Sequence, residues 1–230
     1  MRRFYGRRKG RPLRAARAEL FENKLPAVAI ALPDAGESLH PAALFPAAVS
    51  EIWLEIGFGA GDHLAWQALR NPEVGFLGCE PFVEGVANLL SRIERDALRN
   101  IRILDDDARL LLDALAPASL DRVFILFPDP WPKTRHHKRR IVTPETLDRL
   151  ARAMRPGAEL RLATDHADYA AWMLAHATDH PAFAWTARRP ADWRVRPADW
   201  PGTRYEAKAD QQGRQSCYFS FRRRADGTRA

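Results

Sequence analysis

The feature that most constrains the fold of this chain is a short apolar run ended by spaced glycines. Glu51-Ile-Trp-Leu-Glu-Ile56 reads as a buried strand, and Gly57, Gly59 and Gly61 break it at once. A helix from about Asp62 to Leu69 follows, stopped by Asn71-Pro72. The same alternation then repeats. Strands are expected at Gly75–Glu80, Asn100–Leu104, Asp121–Phe127 and Ala158–Thr164. Helices are expected over Val83–Arg95, Ala108–Leu115, Thr143–Met154 (with Thr143 as cap) and about His166–Ala177. Arg155-Pro156-Gly157 reads as a helix stop, and Ser216–Arg222 as a late strand. Strands alternating with helices imply an α/β, Rossmann-like fold, a mostly parallel doubly wound sheet with an antiparallel edge strand.

In such a sheet, ligands bind beyond the carboxyl ends of the strands. Glycines at 57, 59 and 61 let the backbone turn there without Cβ interference. Glu80 ends the second strand, where a carboxylate can accept both hydroxyls of a ribose. The G-x-G-x-G spacing departs from the dinucleotide G-x-G-x-x-G, and a pyrophosphate would suffer beside Glu55. S-adenosylmethionine carries a sulfonium and an ammonium group and no phosphate, so Glu55 suits it better. Asp107 is placed to reach the adenine amino group, with Asp105 and Asp106 as solvated turn residues. Intact Glu55, Glu80 and Asp107, with Asp129 in the proline-rich run after the fourth strand, also speak against a decayed, purely RNA-binding protein.

The formal charge of +7 is unevenly spread. Residues 1–18 carry eight basic residues and no acid, so removing that +8 leaves the other 212 residues near −1. Such an arm (Arg2, Arg3, Arg7, Arg8, Lys9, Arg11, Arg14, Arg17) attracts polyanions. It also resembles a transit peptide, but no serine occurs before Ser38. The expected organisation is a flexible arm at 1–18 and one domain over 19–230, with a loop-rich insertion at about 180–206. Arg-Pro-Ala-Asp-Trp occurs in that insertion twice, at 189–193 and 196–200, too few copies for a solenoid. Cys79 and Cys217 fit no metal-ligand spacing and read as free thiols in a reducing compartment. With no apolar run long enough to span a bilayer, a cytoplasmic protein with no membrane contact is expected.

Phe127-Pro-Asp-Pro-Trp-Pro132 follows the fourth strand, and its prolines stiffen the turn that projects Asp129 and Trp131. Lys133-Thr-Arg-His-His-Lys-Arg-Arg140 comes next: five cations and two histidines, a surface suited to a phosphate backbone. A methyltransferase for small molecules or proteins would have no reason to put such a run there.

The runs EIGFGAG, FPDPWPKTRHHKRRIV, LATD and TRYE, in this order, resemble the bacterial tRNA (guanine-N7-)-methyltransferase family over roughly residues 50–222. The resemblance implies transfer of a methyl group from S-adenosylmethionine to guanine 46 of the tRNA variable loop. It implies cofactor contacts at Glu55, Gly57, Gly59, Glu80, Asp107 and Asp129, the last also the catalytic residue. Substrate-binding positions would be Lys133, Asp165, Thr203, Arg204, Tyr205 and Glu206. RNA-contacting positions would be Arg135, His136, His137, Lys138, Arg139 and Arg140. No metal and no obligatory protein partner is implied, and the enzyme would act as a monomer or homodimer. Pro132 and His137 stand where other polar residues are usual, and TRYE replaces the commoner TKFE. Trp131 or Tyr205 is available to stack on an extruded base.

Overall fold

In the computed structural model the first strand, β1, spans Glu51–Ile56, as its apolar run predicts. The residues described are 6, 8–10, 12–202, 206 and 211–225. The chain forms two compact units, one ending at Ser119 and the other beginning at Leu120.

In the first unit β1 pairs in parallel with β2 (Val74–Cys79), and β2 with β3 (Ile101–Leu104). All six residues of β2 are buried, as expected of a parallel strand covered on both faces. Helices α2 (Asp62–Arg70), α3 (Val83–Arg95) and α4 (Ala108–Ala114) alternate with these strands. The amphipathic α3 buries Val86, Ala87, Leu89 and Leu90 and leaves its arginines toward solvent. Asn71 ends α2 as predicted, and the Asn100 amide donates to the Ala68, Asn71 and Val74 carbonyls at 3.0–3.1 Å. Those bonds satisfy a helix end that would otherwise be orphaned. One helix has no counterpart in the sequence reading: α1, Ala15–Val28, which buries none of its residues. It packs on α3, with Lys24 paired to Glu94 at 2.8 Å.

In the second unit β4 (Leu120–Leu126) and β5 (Met154–Thr164) run parallel, flanked by α5 (Pro144–Ala153) and α6 (Ala167–Asp179). Thr143 caps α5 as expected, accepting the Thr146 N–H at 3.3 Å. The predicted late strand is β7, Cys217–Arg223, antiparallel to β5. A further short strand, β6 (Phe183–Trp185), lies outside it, so the order is β4-β5-β7-β6. β6 and a four-residue helix, α7 (Ala191–Arg194), occupy the stretch that reads as loop.

α5 ends at Ala153, just ahead of Arg155-Pro156-Gly157 as expected, and the tripeptide itself bulges from β5. Leu120 pairs with Met154 and Arg122 with Glu159, so four residues face one. Gly157 takes φ +82°, and Arg155 staples the bulge to Asp121 at 2.8 Å. No helix among the described residues is long and apolar enough to cross a membrane.

Candidate active site

In the first unit the loop between β1 and α2 is held in a left-handed conformation at its three glycines, with φ of 76°, 55° and 75°. L side chains rarely adopt such angles, which accounts for their choice. A second constraint comes from α3: a Cβ at Gly85 would sit 2.4 Å from the Gly59 carbonyl oxygen. Glu80, at the end of β2, fastens this arrangement. One carboxylate oxygen accepts the Gly59 N–H and the other the Phe82 N–H, each at 2.9 Å. A carboxylate fixed in this way at the end of a strand has the two-oxygen geometry that a vicinal diol calls for.

Glu55 is buried, and one of its oxygens lies 2.7 Å from His63 Nδ1 on α2. His63 Nε2 meets Gln67 Nε2 at 3.2 Å, so the carboxylate ends a buried polar chain. Sequence reasoning overlooked His63, although its place eight residues after Glu55, just past the glycine turn, carries that signal.

Asp107 caps α4 and is tightly held by Arg109, whose backbone N–H, Nε and Nη2 donate to it at 2.5–3.1 Å. Burial pushes its carboxyl up, but those hydrogen bonds and the Arg109 and Arg8 charges hold it below the ordinary carboxylate value. Asp105 is exposed, as expected. Asp106 is not a solvated turn residue: it pairs with Arg8 and accepts the Asp107 N–H at 2.7 Å. The Arg8 carbonyl also accepts the Val83 N–H at 3.0 Å, which sets this part of the basic arm against the start of α3.

In the second unit the turn after β4 is strained. Phe127 and Trp131 have φ of +48° and +44°, a region that non-glycine residues enter only when their surroundings over-determine it. Asp129 lies between them. It is exposed by area, and among the described residues it makes no hydrogen bond or ion pair. The protein mass around its carboxyl nevertheless pushes the pKa above the ordinary value, bounded by the open solvent on one side.

The basic run forms a 3-10 turn, Thr134–Arg139, that divides its cations. Lys133, Arg135 and Lys138 are exposed. Arg140 is not available to a phosphate: it is 2% exposed and its guanidinium faces inward. His137 is also turned in, 5.4 Å from the Trp172 ring and 3.8 Å from Asp168. Arg139 lies over the Trp131 ring at 4.9 Å, with His136 edge-on at 6.0 Å. Trp131 therefore already carries a cation on one face, which removes it as a free stacking platform on that side.

Asp165 follows β5 and pairs with Arg214 at 3.0 Å, and the next residue, His166, is the N-cap of α6. Glu206 is buried, accepting the Tyr218 hydroxyl at 2.6 Å, with Arg196 3.8 Å away. Thr203, Arg204 and Tyr205 lie outside the described residues, as do Arg2, Arg3, Arg7 and Arg11 of the arm.

Residues 50–218 match the family model described as "Putative methyltransferase". The tRNA (guanine-N(7)-)-methyltransferase of Rhodospirillum rubrum is 54% identical, over 96% of this chain and 88% of its own. Those of Paramagnetospirillum magneticum and Rhizobium meliloti are each 50% identical, over 97% and 96% of this chain and 93% and 94% of theirs. This chain belongs to the tRNA (guanine-N7-)-methyltransferase family. Among solved structures, the 16S rRNA methyltransferase KamB superposes with a TM-score of 0.53 at 14% identity, over 77% of this chain and 89% of that one. An antibiotic-related methyltransferase gives 0.50 at 14%, with the same coverage. That likeness shows the Rossmann-like methyltransferase fold, mostly parallel with one antiparallel strand direction, in which this member of the tRNA (guanine-N7-)-methyltransferase family is built.

Proposed function

We propose that this chain methylates N7 of guanine 46 in the variable loop of tRNA, using S-adenosylmethionine. What carries the reading is identity of about half over nearly full length to proteins named for that modification. The cofactor fits the carboxylate set of the first unit. Glu80 would hold the ribose hydroxyls, Glu55 the ammonium group, and Gly57 and Gly59 the close backbone approach. The adenine amino group would share Asp107 with Arg109. When bound, S-adenosylmethionine supplies an electrophilic methyl group on sulfur.

Guanine N7 is an aromatic lone pair with no proton to remove, so no general base is needed. Positioning supplies most of the acceleration. The purine becomes cationic as it reacts, and the Asp129 carboxylate stabilises that charge while accepting a hydrogen bond from the base. Lys133, Arg135 and Lys138, exposed on the turn after Asp129, suit phosphate contacts, and Asp165 with residues 203–206 would complete the base pocket. N7 lies on the deep, narrow major-groove edge of A-form RNA, so the base must be unstacked or extruded. We read the basic arm as a further polyanion contact and the site of action as the cytoplasm.

The test is to incubate the protein with unmodified tRNA and methyl-labelled S-adenosylmethionine, then treat with borohydride and aniline. Label in RNA with a strand break at position 46 is expected. No label sinks the reading, and label without a break moves the methyl group to another atom.

A further inference from the structure

From the enclosure of Arg140 we propose that this arginine and Asp168 are positioning residues that hold the Asp129 turn from behind, not part of the RNA-contacting surface. This rests on the proposed role of Asp129. Arg140 ends the basic run, yet it has the bulkiest of the side chains that are fully buried among the described residues. Its Nε donates to the Pro130 carbonyl at 3.0 Å, the residue directly after Asp129. Its Nη2 donates to Asp168 in the first turn of α6. The guanidinium carbon lies 4.9 Å from the centres of both the Tyr169 and Trp172 rings. Its Nη1 has no hydrogen-bond partner among the described residues, so the two aromatic faces offset part of the cost of burial.

One turn of α6 thus builds the whole socket from residues 168, 169 and 172, which the helical repeat places side by side. The socket is itself tied to the segment after Arg140. Trp172 Nε1 donates to the Val142 carbonyl at 2.6 Å, the Val142 N–H reaches the Tyr169 hydroxyl at 3.4 Å, and His176 stacks on Trp172 at 4.1 Å. A planar fork that bonds a carbonyl and a carboxylate at once is a task for arginine and not for lysine. Its load is the strained turn: Phe127 and Trp131 hold positive φ on either side of Asp129, and such a turn keeps its shape only while something fixes it.

The experiment compares wild type with Asp168→Ala, Asp168→Asn and Arg140→Lys on unmodified tRNA, reading kcat, both KM values and the salt dependence of tRNA binding. Asp168 is 57% exposed, so its variants leave no cavity and keep the test valid should Arg140→Lys fail to fold. A positioning role predicts a kcat loss of about 10- to 100-fold in Asp168→Ala and Arg140→Lys, with Asp168→Asn partly rescued. KM for S-adenosylmethionine and the salt slope stay at wild-type values. Had Arg140 served the phosphate backbone, removing the acid would tighten tRNA binding and steepen the slope by about one, with kcat unchanged. That result, or wild-type kcat in Asp168→Ala, overturns the proposal. Absence of N7 methylation by the wild-type protein would instead remove the reading on which it rests.

Discussion

At Asp129 the important quantity is the charge state of one exposed carboxyl. Its pKa is displaced upward by the surrounding protein, while the stabilising role proposed for it requires the carboxylate. Activity is therefore lost as pH falls through that raised value, earlier than an ordinary aspartate near 3.9 would allow. The acid limb of kcat/KM, which reports the free enzyme, checks this, and it should vanish into a low, flat profile in Asp129→Asn. Stability has the opposite sign. A raised native pKa means that the native state binds its proton more tightly than the unfolded chain does. Stability therefore falls as pH climbs from the unfolded to the native pKa and stays lower above it. Asp129→Asn should then melt no lower than wild type at neutral pH while losing turnover. A variant that loses both would show Asp129 to be a structural residue.

The duplicated Arg-Pro-Ala-Asp-Trp shows what an element adds to a residue. In the first copy Asp192 accepts the Arg188 and Arg189 N–H groups at 3.0–3.2 Å, and the half-buried Trp193 stacks on Phe219 at 6.5 Å. In the second, Asp199 takes Arg161 of β5 in a two-pronged pair at 2.8–2.9 Å, and Trp200 is 4% exposed, edge-on to Tyr218. Identical letters serve as a local cap in one place and as an anchor just ahead of residues 203–206 in the other. Trp200→Ala should cost about 3–5 kcal/mol and Trp193→Ala about 1–2 kcal/mol, read from urea melts. Equal losses would make the two copies equivalent. The same limit governs what can be read in advance. β1 and α3 match the sequence reading because one apolar period decides each of them, and Glu80 stands directly after β2 because a strand end could be read there. Arg140 and Arg135 look alike in the run, and only Asp168, Tyr169 and Trp172, some thirty residues away, decide which one is buried. α1 has only a thin apolar stripe, Phe21, Leu25 and Val28, half-buried and interrupted by Pro26, a residue that normally breaks a helix.

Across the whole molecule the basic run delivers fewer free cations to solvent than its composition suggests. Lys133, Arg135 and Lys138 point outward, so their joint replacement by alanine should lower the slope of log K against log salt by about 2–3. An unchanged slope would place the phosphate contacts elsewhere, the arm being the first alternative. The two thiols differ in a way that can be put to use. Cys79 is sealed in β2, and burial together with Asp107, Glu80 and Asp106 pushes its thiol well up, away from the reactive thiolate. Burial pushes the Cys217 thiol up as well, but Cys217 is only half-buried and so open to solvent, and it pairs in register with Thr164, the residue before Asp165. A maleimide dye added to the native protein at mildly alkaline pH should therefore attach at Cys217 before Cys79, beside the proposed guanine pocket, giving an optical reporter of tRNA docking with no engineered cysteine.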